Sequence, residues 1–151
     1  MGTLLTKGKS LKNLKTKYTE LTRSSVEVGH FSSQGEHEPS GLKYTALMKI
    51  HAAPPESSNI KPRPVLLFLD KDIKTHKFDG ILRDFDRNNT PSAIDHLLVN
   101  VGGKLVSMER DIFGSSVLAP TLAGNPPLID TGELRDAVSY KTSKNNTVVT
   151  P

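Results

Sequence analysis

Seven apolar residues between positions 94 and 112 constrain the fold of this chain more than any other feature. Ile94, Leu97, Leu98, Val101, Leu105, Met108 and Ile112 recur at three, one, three, four, three and four. That spacing lays an apolar stripe along one face of a helix. Thr90-Pro91 precedes it, a predicted cap followed by proline at the first helical position. About 22 residues of helix would reach roughly 33 Å. Gly102-Gly103 falls in the middle. Each glycine costs about 1 kcal/mol relative to alanine, so the pair predicts close packing, a bend or a break.

Weaker patterns surround this helix. Leu11, Leu14, Tyr18 and Leu21 form a thin helical stripe, with Ser10 as its expected cap. Val26 and Val28 alternate with Glu27 and Gly29, which predicts a strand. Residues 32–40 are polar and read as a loop. Leu42, Ala46 and Ile50 have helical spacing, with Ser40 as the expected cap. Residues 52–62 contain Pro54, Pro55 and Pro62 and read as an exposed loop. Pro64 suits a first helical turn, and residues 65–69 are apolar on almost every side. One helix or two should cover residues 64–88, broken near 75–79. Residues 115–126 read as a second loop. A strand is expected over 137–142, with a turn at Asn145-Asn146 and a returning partner over 147–150.

These elements predict an α+β fold, a small antiparallel sheet packed against several helices, one of them long. Residues 1–24 should form a basic N-terminal helix or arm, and residues 25–151 a single α+β domain. The sheet is small enough that a neighbouring copy would be needed to cover its edge.

Charge and residue usage narrow the function. Net charge is +4, and the excess sits early. Lys7, Lys9, Lys12, Lys15 and Lys17 all precede the first acid, Glu20. Such an arm suits transient contact with DNA or an acidic partner, although only Tyr18 is interleaved with it. There is no cysteine, so disulfides and thiol chemistry are excluded. No run of 18 apolar residues exists, so no membrane span is expected. The basic N-terminus lacks the apolar core of a signal peptide. His30, His37, His51, His76 and His96 are scattered. His37, between Glu36 and Glu38, resembles a metal patch but lacks a third group, and is read as a surface histidine. Asp70, Asp72, Asp79, Asp84 and Asp86 alternate with lysines and arginines, as solvated helix faces do. No phosphate-binding glycine loop is present. No enzyme activity, cofactor or metal is expected.

Residues 127–140 read PLIDTGELRDAVSY. Asp130 could cap a helix start, Gly132 gives the turn room for unusual backbone angles, and Glu133 completes a capping-box spacing. Leu134 and Val138 would share a face. Asp-Thr-Gly is also the aspartic-protease tripeptide, but that chemistry needs two carboxylates sharing a proton. Here a charged turn follows where a protease would want an apolar strand.

This stretch resembles the C-terminal signature of a tailed-phage family of virion morphogenesis proteins, Pro-Leu-x-Asp-Thr-Gly-x-Leu-Arg-x-Ser-Ile. The match is direct at Pro127, Leu128, Asp130, Thr131, Gly132, Leu134 and Arg135. Upstream and in the right order, residues 26–31 resemble the family's first strand, and residues 44–51 its next helix. Residues 60–66 resemble the start of its long helix, where Arg63 and Pro64 match. Val65 stands where the family has an aromatic, and Ala52-Ala53 follow His51 in place of Glu-Phe.

The resemblance implies a structural role in the head-tail joint, as a tail-completion, neck or minor tail protein. It implies a homo-oligomer, often a hexameric ring, between the connector and the tail tube. Its partners would be the connector or adaptor and the tail terminator or tail tube proteins. The chain would be assembled in the host cytoplasm and end in the virion. Asp130, Thr131, Gly132, Leu134 and Arg135 would fix a turn that aims the last strand, and the loops at 52–62 and 115–126 would be assembly contacts. The alternative is a non-specific nucleic-acid-binding or regulatory protein that uses the basic arm.

Overall fold

The computed structural model describes residues 2–58, 62, 64–75, 78–114 and 132–151. Arg63, His76, Asp130, Thr131 and the loop at 115–126 lie outside the described residues.

Helix α1 spans Gly2–Leu21. Ser10 falls inside it, so the helix begins well before the expected cap. Strand β1 is Val26–Gly29. The expected loop over 32–40 contains a single 3-10 turn at Ser32–Gln34 and strand β2, Glu36–His37. Strand β3, Leu42–Lys43, pairs with β2 (Glu36 opposite Lys43, His37 opposite Leu42). Helix α2 then runs Tyr44–Ala52. Ser40 is not its cap, because the Ser40 hydroxyl meets His37 Nδ1 at 2.9 Å and accepts a 3.4 Å bond from the Leu42 N–H. Short polar side chains often prefer such local bonds to capping.

Helices α3, Val65–Thr75, and α4, Asp79–Arg87, replace the single or double helix expected over 64–88, and the break falls where it was predicted. The Pro64 carbonyl accepts the N–H groups of Leu67 and Phe68 and so opens α3. Helix α5 covers Ala93–Gly114, 22 residues with no interruption at Gly102-Gly103. It starts two residues later than a Thr90 cap would place it. The Thr90 hydroxyl is taken by Asn88 Oδ1 at 2.6 Å, and the Thr90 carbonyl accepts the Ala93 N–H. Helix α6, Glu133–Asp136, and strand β4, Ser139–Thr142, complete the chain.

The fold is α+β, with small antiparallel strand pairs against six helices among the described residues, one of them long. Strands β1 and β4 pair with Val26 opposite Thr142 and Gly29 opposite Ser139. Tyr140 on β4 also exchanges both backbone bonds with Val149, at 2.9 and 2.8 Å, which is the expected returning partner. Helix α5 touches α1, α3, α4, α6, β1 and β4. Its residues Leu105, Val106, Met108, Ile112 and Phe113 form one core with Val65, Leu69, Leu134, Val138 and Tyr140. Its first turns, through Ala93, Ile94, Leu97 and Leu98, form a second core with Phe85. The all-round apolar start of α3 is only partly buried. Val65 and Leu69 face the core, while Leu66 and Leu67 are exposed. No helix among the described residues is long and apolar enough to cross a membrane.

The C-terminal half of α1 is tied to the C-terminal end of α4. Lys17 donates to the carbonyls of Phe85 and Asn88, and its ammonium lies 4.1 Å from the Phe85 ring centre. A lysine at a helix C-terminus satisfies orphan carbonyls and complements the helix dipole. Tyr18 donates to Asp86 Oδ1 at 2.7 Å.

Candidate functional site: a clamped turn

The described part of the family-like signature, residues 132–138, forms a tight turn that leads into β4. Gly132 is the N-cap of α6 with φ +78° and ψ −13°, a left-handed conformation. Glycine reaches that region without the Cβ penalty, which is the physical reason for its presence here. Gly132 holds the N-cap position of α6, while Asp130, the expected cap, lies outside the described residues. Leu134 and Val138 are both buried, as their spacing predicted. Arg135 Nε meets Asp136 Oδ1 at 3.1 Å on the surface, a local contact that solvent screens.

The turn is held from outside through its carbonyls. His30, just after β1, meets the Leu134 carbonyl through Nε2 at 2.7 Å. Burial pushes the His30 pKa down, with the Leu134 bond acting the other way. A carbonyl can only accept, so Nε2–H is the donor. Arg110 on α5 donates to the carbonyls of Asp136 at 2.9 Å, Val138 at 3.2 Å and Pro151 at 3.1 Å. Gln34 donates to the Ala137 carbonyl and to Ser139 Oγ at 2.7 Å, and its own oxygen accepts the Phe31 N–H. Four carbonyls of the turn, those of Leu134, Asp136, Ala137 and Val138, are thus held by side chains from the residue after β1, the 3-10 turn and α5.

A second clasp reaches Glu133. His37 Nε2 lies 3.3 Å from Glu133 Oε2, and its Nδ1 lies 2.9 Å from Ser40 Oγ. His37 is buried, not the surface histidine its acidic neighbours suggested. The pairing of β2 with β3 turns it inward, away from Glu36 and Glu38. Tyr44 sits between the two histidines, with ring centres 6.0 Å from His30 and 6.1 Å from His37. Its pKa is raised by burial and then by the charges of Glu133 and Glu38.

Ser40, His37 and Glu133 follow the order of a nucleophile, a base and an orienting acid. Their surroundings favour a brace over a catalyst. Ser40 is three residues from His37 in one local turn, and its hydroxyl also accepts the Leu42 N–H. The grooves beside α1, between α4 and α5, and between α2 and α3 are lined by other residues. No group of three or more metal-ligating side chains is found among the described residues.

Sequence reasoning found Gly132, Leu134 and Arg135 but missed His30, Gln34, Arg110 and the His37–Glu133 contact. It also missed Glu109, a fully buried carboxyl on α5. Glu109 lies four residues from Leu105 and from Phe113, on the apolar side of the stripe, and that placement was its one available signal. Comparisons with protein-family models, curated protein sequences and solved structures find no match to this chain.

The turn yields a first expected result. Gly132→Ala should cost roughly 1–2 kcal/mol of stability, the penalty of placing a Cβ in a left-handed conformation. Among the described residues the added Cβ would meet only Asp136 Oδ2, at an ordinary 3.7 Å, so backbone conformation and not crowding would be responsible. Urea denaturation measures it, and an unchanged midpoint would show that the turn has no need of glycine.

Proposed function

We propose that this chain is a non-enzymatic structural component of the tailed-phage head-tail joint, a tail-completion or neck protein. It would form a ring, hexameric in the commonest arrangement of the family it resembles, between the connector and the tail tube. The connector or adaptor and the tail terminator or tail tube proteins would be its neighbours. The observation that carries the reading is the convergence of the family-like segments. Residues 26–31 and 132–142 lie more than a hundred positions apart in the chain. They meet through the β1–β4 pairing and the His30 bond to Leu134. A clamp built from backbone carbonyls serves a rigid assembly module, because its side chains are spent on shape.

The lysine-rich start of α1 favours a second reading, a non-specific nucleic-acid-binding or regulatory protein. One experiment separates the two. Quantitative mass spectrometry of purified particles from the genome that encodes this chain should find it at a low, symmetric copy number. Its presence only as free protein in the lysate, with salt-sensitive DNA binding by the monomer, would overturn the structural reading.

A further inference from the structure

Helix α1 has two unlike halves. Its C-terminal half is pinned to α4 by Lys17 and Tyr18. Toward the N-terminus the helix carries Leu11, which is 68% exposed, and exposed Lys12 and Lys15. The stretch from Gly2 to Lys12 is only about 16 Å of helix. An exposed leucine on a helix gains by being covered. The arm therefore calls for an outside surface that accepts a leucine between lysines.

Among the described residues a groove between α4 and α5 has that chemistry. Its volume is about 390 Å³, and its apolar floor includes Ile81 and Leu97. Asp84 lines its edge, Val99 on its rim is 50% exposed, and among the described residues no lysine or arginine lines it. Exposed Asp95 stands one helical turn before Val99 on the same face of α5. The more apolar groove between α2 and α3, at Met48 and Leu66, carries Lys49 and would repel a lysine-bearing helix. The groove beside α1 is already lined by α1's own Leu14 and Lys17.

We propose that the N-terminal part of α1 docks into the α4–α5 groove of a second copy of this chain, Leu11 on its apolar floor and Lys12 and Lys15 toward Asp84 and Asp95. The contact is head-to-tail, since donor helix and acceptor groove are different surfaces. Repeated around a rotation axis such a contact closes a ring. The inference rests on the ring reading above, for which it supplies the neighbour and the contact.

Two full-length variants test it. The arm variant carries Leu11→Glu and Lys12→Glu; the groove variant carries Asp84→Lys and Val99→Glu. All four positions are exposed, and circular dichroism checks that both variants fold. Sedimentation velocity at low salt should show wild-type chain associating with concentration, weakened by added sodium chloride. Each variant alone should associate at least tenfold more weakly. Their mixture should form a one-to-one dimer that grows no further, because only one intact arm and one intact groove remain. A wild-type chain that stays monomeric, an arm variant that associates like wild type, or a mixture that stays monomeric overturns the contact. An arm that binds duplex DNA while the chain remains monomeric overturns it in favour of nucleic acid. Particles that incorporate the groove variant as well as wild type overturn the contact and leave the particle reading standing.

Discussion

Gly102→Ala should destabilise the fold by about 2 kcal/mol, while Gly103→Ala next to it should stabilise by about 1 kcal/mol. Both glycines lie inside α5, and alanine would improve helix propensity at either one. Their surroundings set the sign. A Cβ at position 102 would lie 2.6 Å from Cγ and 2.7 Å from Cε2 of the Tyr140 ring, closer than real side chains come. At position 103 no atom of the described residues lies within 4 Å. The Tyr140 ring cannot simply swing aside. It is buried in the larger core, and its backbone is bonded to Val149 on one side of β4, with Val28 of β1 opposite on the other. Relief needs a shift of the strand or the helix. Because small domains are stable by only about 5–15 kcal/mol, the loss should be plain in a denaturant midpoint. Tyr140→Leu in the Gly102→Ala background should recover part of it, a non-additive pair. Equal effects of alanine at both glycines would mean that α5 does not approach β4 this closely.

The second large effect is a pH dependence centred on Glu109. Its side chain is fully buried, and neither carboxyl oxygen has a hydrogen-bond partner among the described residues. The neighbouring Arg110 does not serve it, because that guanidinium donates to the carbonyls of Asp136, Val138 and Pro151. Burial therefore pushes the Glu109 pKa from its ordinary 4.5 up to about 7. The sign follows from proton binding. Below about pH 4.5 the carboxyl is protonated in both folded and unfolded chains and costs nothing extra. Between there and about pH 7 the unfolded chain has released the proton and the folded chain still holds it, so stability falls as pH rises. Above pH 7 the gap between the two pKa values amounts to about 3 kcal/mol. Glu109→Gln keeps the shape and removes the titration. It should match wild type near pH 4.5 and exceed it by about 3 kcal/mol at pH 8.5, read from urea denaturation at both values. His30 runs the other way, since its depressed pKa removes stability as pH falls through the ordinary histidine range. Comparing variant with wild type at each pH cancels that contribution. An advantage for Glu109→Gln that does not change with pH would show that Glu109 is not a buried acid.

The helices were legible where apolar spacing is long, and the caps were not. The stripe from Ile94 to Ile112 placed α5, and the charged interval after Ile73 placed the break between α3 and α4. Ser10, Ser40 and Thr90 all failed as caps. For Ser40 and Thr90 the reason is visible, since their hydroxyls bond His37 and Asn88 instead. The β1–β4 pairing was beyond reach, because two four-residue strands far apart in the chain carry no pattern that names a partner. At the site, Gly132 announced its own conformation, since so compact a charged turn calls for glycine. The groups that hold the turn did not announce themselves. His30 and Arg110 act through backbone carbonyls, which every residue has, so no sequence pattern marks their targets.

In the proposed function this clamped α+β unit is a building block of a ring in the head-tail joint. An electron-microscopy reconstruction of that joint, in particles from the genome that encodes the chain, tests it most directly. The account predicts a ring of identical copies between connector and tail tube, each fitted by α5 lying across the β1–β4 pair. A joint fully occupied by other chains, with no density that fits this fold, would contradict it.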